Sequence, residues 1–248
     1  MRLCSYTVVH DTGFAPNPFG GYCTLAVCTP NHQGVQLCRG DWVMGHSTAK
    51  TGHKLIYAMK ISEVLSFDDY YRDERFASKK PRRDRSWEDA CGDNIYYQAD
   101  DGAWKQHTTQ FHNYPKSFAQ DVKHPRVFVS EHFFYFGASA PGIPYEYQDL
   151  VRKSQGVKSS HARPLVVEFT RWLESSFVPG RLGIPRDLDW VGELPSAAKS
   201  MACGAERLVP FCQPASDAIS GCLPAEHSRG SAQECGDTPP AKPNAHSC

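Results

Sequence analysis

An acidic residue followed by a rigid polar loop is the feature of this sequence best suited to chemistry. Asp11 follows the largely apolar run 6–9 and His10, and opens the segment 11–19, Asp-Thr-Gly-Phe-Ala-Pro-Asn-Pro-Phe. The two prolines fix φ and limit the conformations of the loop, so ordering it around a ligand costs little entropy. Polar groups on a loop at a strand end are a common way to build a site. A structural turn closed by the aspartate is the alternative interpretation.

The Asp-Thr-Gly triplet also opens the catalytic loop of aspartic proteases, whose chemistry needs two carboxylates that share one proton. The chain contains no second Asp-Thr-Gly or Asp-Ser-Gly, and Phe14 follows the glycine where such enzymes carry a small residue. The protease interpretation is therefore set aside.

A second set of residues suits the recognition of a nucleobase, which needs an aromatic face for stacking and polar groups for the base edge. The chain is 12% aromatic, and several aromatic residues flank polar loops. The candidate ligand-binding residues are Thr12, Phe14, Asn17, Trp42, His46, Ser47, Asp93, Asn94, Tyr96 and Tyr135. Core packing is the alternative for the aromatic members, and it is the expectation for Phe128, Phe133 and Phe169.

If the protein is an enzyme, Asp11 is the best catalytic candidate, because burial at a strand end raises the pKa of a carboxyl group toward neutrality. The phosphate-loop, dinucleotide-binding, nucleophile-elbow and zinc-deaminase motifs are absent from the sequence, and no cofactor is expected. Cys23, Cys28, His32 and Cys38 lie close together without Cys-x2-Cys spacing. We therefore expect buried core cysteines and no metal site.

A short basic run follows in the middle of the chain. Its members are Lys79, Lys80, Arg82, Arg83 and Arg85. Such a run would contact nucleic-acid phosphates with salt-sensitive affinity that does not depend on base sequence. A solvated loop is the alternative, since the formal net charge of the chain is zero.

The hydrophobic pattern predicts a β-rich α+β domain. Strands are predicted at residues 3–10, 22–29, 42–46, 54–65 and 127–137, with a hairpin at 94–98 and 104–107 and helices at 67–76 and 164–177. Residues 108–125 are predicted to be irregular. Residues 196–248 are rich in Ala, Ser, Gly and Pro, and predict a disordered low-complexity tail.

Six motifs occur in a characteristic order. They are residues 11–19, Gly-Tyr-Cys-Thr-Leu-Ala at 21–26, Gly-Asp-Trp-Val-Met-Gly at 40–45, Leu-Ile-Tyr-Ala-Met-Lys at 55–60, Gly-Asp-Asn-Ile-Tyr at 92–96 and Phe-Phe-Tyr-Phe-Gly at 133–137. Together they resemble the nucleotide modification associated domain 2 family, over residues 3–195. This resemblance implies a setting in DNA base modification.

At the level of fold, the Gly-Asp turn, strand, polar loop and long strand are similar to PUA-like barrels, including the EVE, ASCH and YTH groups. This similarity implies a PUA-like barrel with peripheral helices. Many such barrels bind an altered or flipped base, whereas some ASCH members are hydrolases.

The resulting expectation is a protein that recognises a modified base in a pocket formed by residues 11–19, 42–47 and 93–96. An enzyme acting on a nucleotide or DNA base through Asp11, and a scaffold in a modification complex, are the alternatives. The expected partners are DNA or a modified nucleotide and other proteins of a modification or defence system. The sequence shows no signal peptide and no run of 18 apolar residues, so we expect no membrane association and a cytoplasmic, nucleoid or nuclear location.

Overall fold

The structure is a computed structural model that describes residues 1–188. Its strands are β1 (Leu3–Thr7), β2 (Cys23–Leu25), β3 (Trp42–His46), β4 (Leu55–Lys60), β5 (Glu63–Ser66), β6 (Tyr96–Gln98), β7 (Trp104–Gln106), β8 (Arg126–Ser130), β9 (His132–Tyr135), β10 (Val157–Lys158) and β11 (Gly180–Arg181). Its α-helices are α1 (Phe67–Arg72), α2 (Trp87–Ala90), α3 (Pro115–Asp121) and α4 (Arg163–Ser176). Short 3-10 helices cover Asn31–Gln33, Ala49–Thr51, Glu74–Lys79, Gly137–Ser139 and Tyr145–Leu150. The predicted α+β class is confirmed.

The larger sheet of the described residues has six strands in the order β10-β1-β3-β4-β9-β11. The pairs β1–β3 and β9–β11 are parallel, and the other pairs are antiparallel. A smaller antiparallel sheet has the order β2-β8-β5, and β6 pairs with β7 as the predicted hairpin.

Both faces of the large sheet are covered, because its central strands carry apolar side chains on either side. Trp42 and Ala58 pack with residues of α4 such as Phe169. Val43 and Met59 point to the opposite face and pack with residues of the small sheet, such as Leu25 and Phe128. The near-continuous apolar pattern of β4 therefore reflects a strand buried on both faces.

The two sheets share a corner at which two strands change sheets. The predicted strand 54–65 breaks into β4 and β5, and its partner, predicted at 127–137, breaks into β8 and β9. At the corner the Ser62 N–H donates to Val129 O at 2.8 Å, and the Glu131 N–H donates to Ser62 Oγ at 3.0 Å. Bends of this kind pass a strand from one packed sheet to another.

The expected PUA-like barrel is wrong for residues 1–188, because both sheets are open. The hydrophobic pattern predicts residues 54–65 and 127–137 as single strands. Single strands of that length would fit a closed barrel. The corner instead divides each strand between two sheets. The edges of the large sheet are formed by β10 and β11, which are only two residues long.

The predictions for β3, the hairpin and α4 are confirmed, because each has a strong local signal. The prediction that residues 108–125 are irregular is wrong, because they include α3. That helix begins with Pro115 at its first turn and buries only Asp121. It therefore lacks the regular helical spacing of apolar residues from which a helix is predicted.

The predicted tail, residues 196–248, lies outside the described residues. Among residues 1–188, no helix has the length and apolar content needed to cross a membrane.

Candidate functional site

A cleft of about 450 Å³ lies beside the proline-containing loop, which we define as residues 11–21 and call the proline loop. Its walls come from the end of the proline loop, from α2, from β9 and the residue before it, and from β11. The lining residues are Pro18, Phe19, Gly20, Gly21, Glu88, Glu131, Phe133, Pro179, Gly180 and Arg181. A volume of this size falls within the range of small-molecule sites.

Phe19 provides one aromatic wall of the cleft, whose lining also includes Phe133. Its ring meets Trp87 of α2 edge-to-face, with centroids 5.3 Å apart. Gly13 allows this placement, since it has φ +77° and a Cβ there would lie 2.8 Å from Phe19 Cζ. The glycine of the Asp-Thr-Gly triplet is therefore required by backbone conformation and by the close approach of the ring.

Three charged side chains share the cleft. Arg181 forms an ion pair with Glu88, and its guanidinium carbon lies 5.5 Å from the centroid of the Phe19 ring. Glu131 is exposed at the bend between β8 and β9. The cleft thus combines two phenylalanine side chains, one guanidinium and two carboxylates, and carboxylates accept hydrogen bonds from amino groups.

Asp11 lies in the protein interior and has only 1% of its surface exposed. Tyr135 OH donates to its Oδ1 at 2.5 Å, and the Arg186 N–H donates to its Oδ2 at 3.1 Å. The Asp11 N–H in turn donates to Asp187 Oδ2 at 2.7 Å. Burial raises the pKa of Asp11 to about 6, although the hydrogen bonds from Tyr135 and Arg186 act in the opposite direction. The structure thus brings together two predicted site residues, Asp11 and Tyr135.

Asn17 lies at the centre of a buried polar network that fixes the proline loop. Lys79 Nζ donates to Asn17 O, to Asn17 Oδ1 and to Tyr22 O at 2.8–2.9 Å. Asn17 Nδ2 donates to Cys91 O at 2.9 Å. Burial lowers the pKa of Lys79 to about 8, and the charge of Asp93 opposes that shift. This predicted base-reading amide is therefore engaged within the protein.

Asp93 lies beside this network and is fully enclosed. It accepts hydrogen bonds from Tyr70 OH at 2.7 Å and from Thr24 Oγ1 at 2.9 Å. Burial raises its pKa, while Lys79 and Tyr70 lower it. The neighbouring Asn94 donates to the backbone oxygens of Tyr70 and Phe76. The contacts of both residues are those of a polar core.

Trp42, His46 and Ser47 lie on or beside β3, and their contacts are away from the cleft. Trp42 packs in the α4 cluster and is 1% exposed. His46 Nε2 accepts the Arg152 N–H at 3.0 Å, and its Nδ1 pairs with Ser47 O at 2.9 Å. Burial lowers the pKa of His46 to about 4, so the ring is neutral at pH 7. Ser47 Oγ accepts the Lys54 N–H at 2.9 Å.

The remaining predicted ligand residues are Thr12 and Phe14 of the proline loop and Tyr96 of β6, and their side chains pack in the interior. Thr12 Oγ1 accepts the Phe14 N–H at 3.3 Å, which is the short turn contact expected of a loop threonine. Phe14 stacks on Phe111 with centroids 4.6 Å apart. Tyr96 OH donates to Asp121 at 2.6 Å. These side chains are buried and face the interior.

The basic run divides into three environments. Lys79 is in the interior, and Lys80 Nζ lies 4.0 Å from the centroid of the Tyr71 ring. Arg82 pairs with Asp89 at 2.9 Å. Arg83 and Arg85 are exposed. The surface part of the run is therefore confined to residues 80–85, immediately before α2.

Sequence reasoning did not identify Glu88, Glu131 or Arg181 as candidates. The Pro-Gly-Arg sequence at 179–181, shortly after the amphipathic helix α4, is a local signal that was available for Arg181 and was not used. The two glutamates carry no comparable signal. They reach the cleft only because α2 and the sheet corner fold against the proline loop.

Comparison with known proteins gives one match. Residues 1–193 match the family model described as Nucleotide modification associated domain 2. The chain matches no curated protein and no solved structure.

Proposed function

This chain belongs to the nucleotide modification associated domain 2 family, and from that membership we propose that it recognises a modified nucleobase in the cleft beside Phe19. The family gives a general setting in nucleotide modification. The cleft supplies the physical basis of the finer proposal. DNA or a modified nucleotide is then the partner, and other proteins of a modification system act with it.

The observation that carries the proposal is the position of Phe19 in a cavity of about 450 Å³. Trp87 supports the ring edge-to-face, and Gly13 leaves room for it. A ring held in this way loses little freedom when a base stacks on it. Stacking of one base on an aromatic side chain contributes about 1–3 kcal/mol.

The charged groups of the cleft favour a base that carries amino groups. Glu131 and the second carboxylate oxygen of Glu88, whose Oε1 pairs with Arg181, accept hydrogen bonds, and an exocyclic or added amine donates them. Arg181 is already paired with Glu88 beside the Phe19 ring. A phosphate would have to compete with that carboxylate for the guanidinium. The proposed ligand group in the cleft is therefore the base, and the phosphates lie outside.

Arg83 and Arg85 are suited to those outer phosphates. Both are exposed, and they precede α2, whose Glu88 lines the cleft. Phosphate contacts of this kind position a nucleic acid without reading its sequence. Different side chains would thus select the base and bind the nucleic-acid backbone.

Calorimetric titration of the full chain tests the proposal. The probes are deoxycytidine, deoxyuridine and deoxyadenosine with their methylated and hydroxymethylated forms, free and within matched duplexes, at two salt concentrations. We expect a preference for one modified base that persists at the higher salt concentration. Binding without base preference that collapses with salt would contradict the cleft as a base site.

Phe19→Leu is the decisive variant, with Tyr145→Leu as a matched control at an aromatic residue that is 91% exposed. Loss of stacking is expected to weaken base binding roughly 5- to 150-fold. Glu131→Gln should weaken binding of amine-bearing bases more than of other bases, and exposed Glu146 supplies its control. Equal affinities for Phe19→Leu and wild type would argue against the proposal.

An enzyme that uses Asp11 is the second candidate, and one observation favours it. Its carboxyl has a pKa of about 6 and a short hydrogen bond from Tyr135, as suits a group that transfers protons near neutral pH. Asp11→Asn separates the two functions, because a reader retains its affinity whereas an enzyme binds and loses turnover. A scaffold, the third alternative, would be indifferent to both Asp11→Asn and Phe19→Leu.

A further inference from the structure

Two histidines and an aspartate from distant parts of the chain meet at one point, away from the cleft. His32 lies in a 3-10 turn, His112 in the loop before α3, and Asp121 at the end of α3. One ligand atom from each lies within 4.8 Å of the others. His32 Nε2 contacts Asp121 Oδ1, and His112 Nδ1 lies 2.6 Å from Asp121 Oδ2. We propose that these three residues hold one divalent transition-metal ion.

The donor set has the chemistry of such a site. Imidazole nitrogens together with a carboxylate oxygen suit Zn²⁺ and Fe²⁺, which bind nitrogen and oxygen at about 2.0–2.2 Å. Three protein ligands leave further coordination positions for water or a substrate atom, the pattern of a reactive rather than a purely structural metal site. The sequence pattern had suggested only cysteines as partners for His32.

The contacts of His32 Nε2 are compatible with a bound cation. Asp121 Oδ1 is in contact with this nitrogen, and an imidazole nitrogen facing a carboxylate oxygen requires a proton or a cation between them. The nitrogen has a single lone pair, so a metal ion held there would replace the Cys28 N–H, 3.2 Å away, as its partner.

The surroundings hold the carboxylate in place for binding. Asp121 is 3% exposed and His112 is 8% exposed, so the ion would be largely withdrawn from water. Tyr96 OH donates to Asp121 Oδ2 at 2.6 Å, a contact that orients the ligating carboxylate. The His32 side chain is 13% exposed, which gives an ion access from solvent.

The backbone of the cluster is also unusual. Cys28 and His112 are in contact, with Sγ 3.1 Å from Nε2, and both have positive φ, +68° and +52°. Residues other than glycine occupy this region at a cost, and such positions concentrate at functional sites. The positive φ at His112 thus helps to place one of the three proposed ligands in the cluster.

Metal binding to full-length protein tests the proposal. Exposed thiols are first blocked with iodoacetamide, because ten cysteines offer other sites for zinc. The protein is then stripped with chelator, given Zn²⁺ and assayed for bound metal and unfolding midpoint. We expect one ion per chain and a higher midpoint with zinc. X-ray absorption should show nitrogen and oxygen neighbours at about 2.0–2.1 Å.

His32→Gln should lower the affinity for zinc by about 100-fold or more, since loss of a mere hydrogen-bond partner of a ligand already costs about 10- to 100-fold. His132→Gln is the matched control, because His132 pairs with Glu174 at 3.2 Å on the surface. Wild type without bound zinc, or His32→Gln that retains it, would overturn the proposal. If His32→Gln does not fold, the wild-type absorption spectrum decides, and a sulfur-only shell overturns the site.

Discussion

At the scale of single residues, Asp11 has the most distinctive environment in the proline loop. Its carboxyl is buried against Tyr135 and the backbone of Arg186, and its pKa is raised to about 6. A buried carboxyl with a raised pKa favours the folded state while it is protonated. That contribution is complete below about pH 4 and is lost as the pH rises through 6.

Asp11→Asn should remove this pH dependence. Between pH 4 and pH 7 the free energy of unfolding of wild type is expected to fall by about 3 kcal/mol relative to the variant. Urea unfolding at several pH values measures the difference. Exposed Asp84→Asn serves as the control and should parallel wild type. A constant difference between Asp11→Asn and wild type would show that the carboxyl titrates alike in both states.

Lys79 is a buried cation that fixes the proline loop, so its replacement should affect stability. Lys79→Met leaves the oxygens of Asn17 and Tyr22 without their donor and Asp93 without a nearby positive charge. We expect a loss of about 3 kcal/mol in the free energy of unfolding. Chemical denaturation provides the measurement.

Lys80→Met is the neighbouring comparison for Lys79→Met. Lys80 contacts the Tyr71 ring at 4.0 Å near the surface, so its loss is expected to cost less than about 1 kcal/mol. Similar losses for the two variants would contradict a special role for the buried ammonium group.

At the scale of elements, Gly45 of β3 leaves room for the ring of Tyr57, its partner on β4. A Cβ at this position would lie 2.3 Å from Tyr57 Cε1 and 2.7 Å from Val8 Cγ2. Tyr57 OH also forms a hydrogen bond with Tyr6 OH of the same sheet, with 2.9 Å between the oxygens. The Tyr57 ring therefore fills space that the glycine leaves open.

Gly45→Ala should displace Tyr57 and lower the free energy of unfolding by about 1–3 kcal/mol. Gly142→Ala is the matched control, because a Cβ there meets nothing within 4 Å, and we expect a change within about 0.5 kcal/mol. Thermal or urea unfolding of both variants is the measurement. An unchanged Gly45→Ala protein would mean that the sheet adjusts without cost.

At the scale of the whole molecule, the residues after α4 complete the fold. Asp187 and Arg186 bind Asp11, and Ile184 O accepts the Ala138 N–H at 2.8 Å. We propose that the domain spans residues 3–195 and that residues 196–248 form a separate low-complexity segment. The match to the family model over residues 1–193 supports this division.

A chain that ends at residue 195 should keep the unfolding midpoint and ligand affinity of the full chain. A chain that ends at residue 183 lacks the partners of Asp11 and the Ile184 carbonyl, and is expected to lose several kcal/mol of stability. Denaturation of the two truncated chains beside the full chain measures this. If the chain that ends at residue 195 is less stable than the full chain, the residues after 195 contribute to the stability of the fold.

The local pattern of the sequence determined the elements with strong signals. The short apolar strand β3, the turn between β6 and β7 and the apolar face of α4 each depend on neighbours within a few residues, and all three are observed. The motifs also pointed to the family, because their order is a property of the sequence alone. The buried state of Phe128, Phe133 and Phe169 followed from the same apolar pattern.

Only the tertiary structure decided where strands bend and which side chains meet. The corner at Ser62 and Glu131 divides two predicted strands between two sheets, since packing rather than propensity sets a bend. The same packing turns Asn17 toward Lys79, and brings His112 and Asp121 to His32. Contacts between residues far apart in the chain are set by packing, and no local spacing records them. The family and the secondary-structure elements with strong local signals are therefore determined by the sequence alone, whereas the cleft beside Phe19 and the histidine–aspartate cluster exist only in the folded chain.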